Sequence, residues 1–104
     1  MKSHTSIEKA LNAPNTVETL NLSGQKTLEN LPTSISTFRN LKKLYLQDTS
    51  IRTRPSSLAQ CKKLEVLDLR GTNISTFPRV ILQLKHLKEL YFYSEDPDYA
   101  PQQR

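Results

Sequence analysis

A frame of apolar residues recurs along this chain and constrains its fold more than any other property. Leu64-x-x-Leu67-x-Leu69-x-x-Thr72-x-Ile74-x-x-Phe77-Pro78-x-x-Ile81-x-x-Leu84 fills one copy, and Leu87, 23 residues after Leu64, opens the next. The preceding copy places Leu41, Leu44, Leu46, Thr49, Ile51, Pro55, Leu58 and Cys61 at the same offsets. An earlier copy has Val17, Leu20, Leu22, Leu28, Leu31, Pro32, Ile35 and Phe38, with one residue inserted between Leu22 and Leu28. A fourth begins with Leu87, Leu90 and Phe92 and stops. A fixed period of roughly 20–29 residues marks a solenoid, whose units bury their apolar faces only by stacking on one another. About three stacked units are needed for stability, so this array is close to the minimum.

Within each copy, L-x-x-L-x-L reads as a short strand whose leucines alternate inward. Strands separated by a whole repeat must pair in parallel. Pro32, Pro55 and Pro78 stand where the chain leaves the strand for its convex return. The i, i+3 pairs Ile35/Phe38, Leu58/Cys61 and Ile81/Leu84 then fit a one- to two-turn helical or 3₁₀ segment with one buried face. Gly24 and Gly71 follow strands at equivalent offsets, where Asp48 and Ser94 fill the other two places. This position is expected to tolerate positive φ without demanding it. Ahead of the repeats, Thr5-x-x-Glu8 has the spacing of a capping box, and Ile7, Ala10 and Leu11 form one apolar stripe. The spacing predicts a short capping helix over 5–12 that lays this stripe on the open edge of the first repeat, ended by Asn12 and Pro14. Three regions result: a cap (1–15), the repeats (16–40, 41–63, 64–86 and a partial 87–93) and a polar tail (94–104), of which Tyr99 is a candidate to fold back over the Leu87/Leu90/Phe92 edge.

The motif L-x-x-L-x-L-x-x-[N/T]-x-L-x-x-L-P-x-x-I-x-x-L resembles the intracellular leucine-rich repeat proteins of the 23-residue, L-x-x-L-P type. Ile7-Glu8-Lys9-Ala10-Leu11, followed by Val17-Glu18-Thr19-Leu20-Asn21-Leu22-Ser23-Gly24-Gln25, is similar to the opening of small bacterial members. The resemblance covers residues 7–92. It implies an α/β leucine-rich repeat solenoid, a short right-handed arc with a concave parallel sheet of about four strands, convex helical or 3₁₀ segments and an N-terminal capping helix. The shared property it implies is protein binding on the concave sheet, with enzymatic activity normally residing in other attached domains. Three positions depart from the pattern. Thr49 and Thr72 replace the usual Asn, Arg54 stands where Leu31 and Phe77 stand in neighbouring copies, and Cys61 replaces a larger apolar residue. Burying an unpaired guanidinium is costly, so Arg54 is expected to pack its stem and carry its head to solvent or to a carboxylate.

A net charge of +5 over 104 residues favours acidic partners weakly, and nucleic acid is not the expected partner. One cysteine rules out an internal disulfide framework, which points to a reducing, cytoplasmic setting. The amino-terminal stretch lacks the apolar run of a signal peptide, and no segment approaches the roughly 20 apolar residues of a membrane span.

Strand alternation selects the outward residues: Thr19, Asn21 and Ser23; Lys43, Tyr45 and Gln47; Val66, Asp68 and Arg70; Glu89, Tyr91 and Tyr93. Equivalent positions form columns, Asn21–Tyr45–Asp68–Tyr91 and Ser23–Gln47–Arg70–Tyr93. Tyrosine and arginine are enriched in binding hot spots, so Lys43, Tyr45, Gln47, Asp68, Arg70, Glu89, Tyr91 and Tyr93 are the candidate site for a protein partner. Aromatic residues also favour strands for stability alone. A second column, Arg39, Lys62 and Lys85, flanked by Lys42, Lys63, His86 and Lys88, makes a basic edge that Glu65 and Glu89 are placed to neutralise in part. Catalysis finds no support: His4 and His86 are far apart in the repeat frame, and Cys61 falls on the buried side. A chain with two glycines has no phosphate loop, and no metal-ligand spacing occurs, so no cofactor or metal is expected. The expected function is therefore a non-enzymatic protein-interaction scaffold, monomeric or weakly self-associating. The alternatives are a structural unit pairing through its C-terminal solenoid edge and a binder of acidic polymers through the lysine-rich edge.

Overall fold

Short strands joined by whole-repeat crossovers can pair only in parallel, and this sets the architecture. In the computed structural model, which describes residues 3–53, 55–74 and 78–92, five strands lie side by side in chain order. They are β1 (Ser3–His4), β2 (Thr19–Asn21), β3 (Lys43–Tyr45), β4 (Val66–Asp68) and β5 (Glu89–Tyr91), and every neighbouring pair is parallel. β2 to β5 are the four repeat strands that the leucine spacing predicts. β1 is an addition, pairing Ser3 with Thr19 and His4 with Leu20. Residues 3–4 carry no leucine spacing. What selects them is the edge of β2, whose unpaired backbone groups need partners.

The register stacks Leu20, Leu44, Leu67 and Leu90 in one row facing the core. Leu20, Leu44 and Leu67 are fully buried, whereas Leu90, on the last strand, is half-buried. Backbone pairing continues past the three-residue strands, with Gly24 N donating to Gln47 O (2.8 Å) and Asp48 N to Arg70 O (2.9 Å). Gly24, Asp48 and Gly71 thereby reach the same turn, and all three have positive φ, at 80°, 59° and 74°. The position demands the left-handed conformation that the sequence suggested it merely tolerates. Asp48 can occupy it because a short polar side chain is among the few that visit this region. Gly71 is constrained twice, since a Cβ there would collide with the Asp48 carboxylate. Ser94, the fourth member, lies outside the described residues.

The return segments are 3₁₀ turns, Thr33–Thr37, Ser56–Gln60 and Arg79–Gln83, entered from Pro32, Pro55 and Pro78. Side chains three apart eclipse in this geometry, so both members of each pair can face inward. Ile35, Phe38, Leu58, Cys61, Ile81 and Leu84 are all buried, none more than 5% exposed. Thr49 is 2% exposed, and its hydroxyl donates to the strand-end carbonyl of Leu46 (3.0 Å), as the Thr72 hydroxyl does to Leu69 O (2.9 Å). Gln25 holds the corresponding place in the first repeat, so the inserted residue falls after it. The alignment recovers by Leu28, whose carbonyl accepts from Ser50 N (3.0 Å) as Ile51 O accepts from Asn73 N (2.8 Å). Arg54 and Phe77 lie outside the described residues.

The amino-terminal helix is shorter than expected. α1 (Ile7–Ala10) is one turn, capped by Ser6, whose Oγ accepts from Lys9 N (3.4 Å), so the capping residue is Ser6 and not Thr5. Ala10 joins the core at 1% exposure and Ile7 packs against it, but Leu11 is 39% exposed and leaves the expected stripe. A helix this short cannot hold itself in water. It is anchored instead by its Ala10–Ile7 contacts, by β1 and by Gln25 Nε2, which donates to Thr5 O (2.9 Å).

Candidate functional site

The outward residues of a parallel sheet fall into columns about 4.8 Å apart, so chemistry can accumulate across repeats. The observed register places Lys43 beside Thr19 and Val66, with Glu89 beyond, and aligns Asn21, Tyr45, Asp68 and Tyr91. The Asn21–Tyr45–Asp68–Tyr91 column is the one expected from the spacing, while the other expected column, Ser23–Gln47–Arg70–Tyr93, ends outside the described residues.

Their members are not equivalent. Asp68 is 2% exposed, and its carboxylate is fully engaged with Arg70. Arg70 Nε donates to Asp68 Oδ1 (3.0 Å), Arg70 Nη2 to Oδ2 (2.7 Å), and Arg70 N to Oδ1 (3.1 Å). Asn21 makes the matching backbone bond in the first repeat, its Oδ1 accepting from Ser23 N (3.0 Å). Asp68 was expected as an outward contact residue; it is instead the buried partner that fixes Arg70. The Arg70 side chain stays about half exposed and lies over the Tyr91 ring, 4.9 Å from Cζ to the ring centroid. Tyr91 donates its hydroxyl to Glu89 Oε1 (2.8 Å). That hydrogen bond, with the charge of Glu89, raises the phenol above its ordinary value, and Asp68 likewise raises the Arg70 guanidinium. One continuous chain, Asp68–Arg70–Tyr91–Glu89, therefore crosses β4 and β5.

Tyr91 is 39% exposed, one of three large apolar side chains so open among the described residues. Tyr45 and Gln47 are half-buried, and Lys43 and Glu89 are exposed. Val66, outward by register, is 7% exposed and belongs to no part of the main core. It forms an apolar floor between Lys43 and Glu89. Strand alternation places Val66 outward but does not reveal that it is covered. The two pairs that fix the site are both i, i+2 on one strand, Asp68/Arg70 and Glu89/Tyr91, and period-two alternation contains that signal. Tyr93, the remaining candidate, lies outside the described residues.

Along the rim before the strands, Arg39, Lys42, Lys62, Lys63, Lys85, His86 and Lys88 are all exposed. Lys63 Nζ donates to Asn40 Oδ1 (2.8 Å), and Lys88 faces Glu65 at 4.0 Å. Glu89 was expected to share in neutralising this edge, but its carboxylate turns to Tyr91 instead. Cys61 is fully buried beneath the convex turn, its Sγ 3.5 Å from Ile35 O, and burial pushes its thiol up to about 11. Among the described residues no group of three His, Cys, Asp or Glu could hold a metal ion, and no helix is long and apolar enough to cross a membrane.

A leucine-rich repeat family model matches residues 39–94, more than half of the chain. The chain is a leucine-rich repeat protein. A leucine-rich repeat protein of Leptospira interrogans has a similar structure, with a TM-score of 0.79 and 34% sequence identity. That likeness covers 90% of this chain and 24% of the Leptospira chain. An internalin of Listeria monocytogenes matches with a TM-score of 0.59 over 93% of this chain and 32% of its own. Its identity is 14%, so the likeness is one of fold alone. This repeat array thus spans about a quarter of the one relative and a third of the other. No curated protein sequence matches the chain.

Proposed function

We propose that this leucine-rich repeat protein is a non-enzymatic interaction module that docks a protein partner on its concave sheet, with Tyr91 and Arg70 as the anchor and Lys43, Tyr45, Gln47, Glu89 and Tyr93 around it. The observation that carries this reading is the Arg70–Tyr91 stack, exposed on its outer side and fixed from behind by the buried Asp68 carboxylate. A hot-spot residue held in one conformation before binding loses little entropy on docking. An open sheet face bearing one aromatic–guanidinium pair suits a protein surface better than a small substrate, which needs an enclosing pocket. The family supports the same class, since its members generally bind proteins. The single buried thiol fits a cytoplasmic setting.

The test is affinity capture from the native host with wild type and with Tyr45→Ala/Tyr91→Ala, both checked by circular dichroism. A partner retained by wild type and lost by the folded variant is the expected result; equal retention places binding elsewhere. A second reading has its own observation. Leu87, Leu90 and Phe92 are half-buried, whereas Leu64, Leu67 and Leu69 of the preceding repeat are fully buried, so the last repeat offers a site for self-association. Light scattering that finds a strict monomer across concentrations eliminates it.

A further inference from the structure

The basic rim is set apart from the concave site by what pairs with it. Arg39, Lys62 and Lys85 recur at one residue per repeat in the turns that follow Phe38, Cys61 and Leu84. Those three side chains are buried on the core side, so the next residue in each turn is forced outward. Among the described residues no carboxylate lies within 4.0 Å of Arg39, Lys62 or Lys85, and none of their side chains makes a hydrogen bond. Lys63 adds a charge held by the neutral Asn40 amide, so it remains a net cation. Where the chain does place acids on this rim it uses a different column. Glu18, Lys42, Glu65 and Lys88 occupy successive repeats immediately before the strands and alternate in sign, with Lys88 and Glu65 at 4.0 Å. One column is thus self-neutralising and the adjacent one is uniformly positive.

Like charges that recur once per repeat in adjacent turns repel in the free protein. A partner bearing negative charge along the solenoid axis relieves that repulsion. We infer that the Arg39–Lys62–Lys85 row, extended by Lys63, is a docking rim for an extended acidic polypeptide segment of the protein partner, running across the repeats. This rests on the protein-binding reading above and names a second, electrostatic element of it. The rim favours a peptide over a nucleic acid because, among the described residues, no exposed aromatic side chain interleaves with its cations, and single-stranded nucleic acid is ordinarily held by stacking as well as charge. Its charges are mostly lysine, compact point charges that accept carboxylates at many angles.

Fluorescence anisotropy with a labelled ten-residue oligoglutamate tests the inference on the whole chain. Binding is expected at low salt and should weaken steadily as ionic strength rises. Lys62→Glu/Lys85→Glu should weaken it by about tenfold or more, since two attractions become two repulsions. Both positions are exposed and outside the core, so circular dichroism should be unchanged. Tyr45→Ala/Tyr91→Ala should bind the peptide as wild type does, which separates failure of the rim from failure of the concave site. No binding at low salt, or binding that the charge reversal leaves intact, overturns the inference. A labelled oligothymidylate that binds more tightly than the peptide overturns the choice of polypeptide.

Discussion

At the residue scale, Cys61 shows how one position carries a packing role and a chemical consequence together. It stands where the first and third repeats have Phe38 and Leu84, and it is fully buried. Burial disfavours the thiolate and pushes the thiol from its reference value of 9.0 to about 11. The thiol is therefore protonated in the folded protein at pH 9–10, where the unfolded chain already ionises. Because the folded value is the higher one, its contribution to stability is complete below pH 9 and is lost as pH rises towards 11. A shift of this size corresponds to about 2–3 kcal/mol. Lysines and tyrosines titrate in the same range, so the measurement is the difference between wild type and Cys61→Ala in urea unfolding across pH 7–11. The gap between the two proteins should narrow above pH 9, and a gap independent of pH would refute the assignment. Asp68 and Asp48 belong to this scale as well. Asp68 takes its role from Arg70, two residues along the chain, and Asp48 from the Arg70 carbonyl and Gly71 of the next repeat. The alternation of β4 points Asp68 outward, yet it is buried; the turn frame permits glycine at position 48, yet an aspartate holds positive φ there.

At the scale of elements, the four repeat strands are alike in sequence and unlike in energy. Leu67 in β4 is fully buried with a strand on either side, whereas Leu90 in β5 has one neighbouring strand among the described residues and is half-buried. Truncation of a buried leucine costs its transfer free energy plus that of the cavity left behind. Leu67→Ala should cost about 3–4 kcal/mol and Leu90→Ala about 1–2 kcal/mol, read from urea midpoints at constant slope. Equal costs would mean that β5 is covered as fully as β4. The strands, their register and the prolines at the start of each return were legible in the sequence, because the last two leucines of Leu-x-x-Leu-x-Leu alternate with period two and a one-residue slip would turn both outward. The 3₁₀ form of the returns was legible only as an alternative to helix, since i, i+3 spacing suits both. β1 was not legible at all, because a two-residue strand has no periodicity and exists by virtue of the edge it covers.

At the scale of the whole molecule, a solenoid repeat is stable only when its open faces are covered. β1 and α1 cover the first repeat, beneath which Val17, Leu20 and Leu22 are no more than 1% exposed. Deleting residues 1–13 removes Ala10, Ile7 and the β1 pairing together, at a cost of about 3 kcal/mol. For a chain of this size the melting temperature should fall by roughly 12 °C or more, with increased binding of an apolar dye. An unchanged melting curve would show that the repeats need no amino-terminal cover. The sequence by itself determined the period, the inward leucines and the columns of outward residues, because stacking identical units makes burial a property of repeat position alone. Only the tertiary structure decided which outward residues are free. Asp68 is withdrawn to hold Arg70, Val66 is covered, Glu89 is turned from the rim to Tyr91, and Arg39, Lys62 and Lys85 are left without side-chain partners among the described residues. Such choices rest on contacts between side chains, some across repeats and some two residues apart on one strand, whose distances and rotamers a spacing rule does not contain.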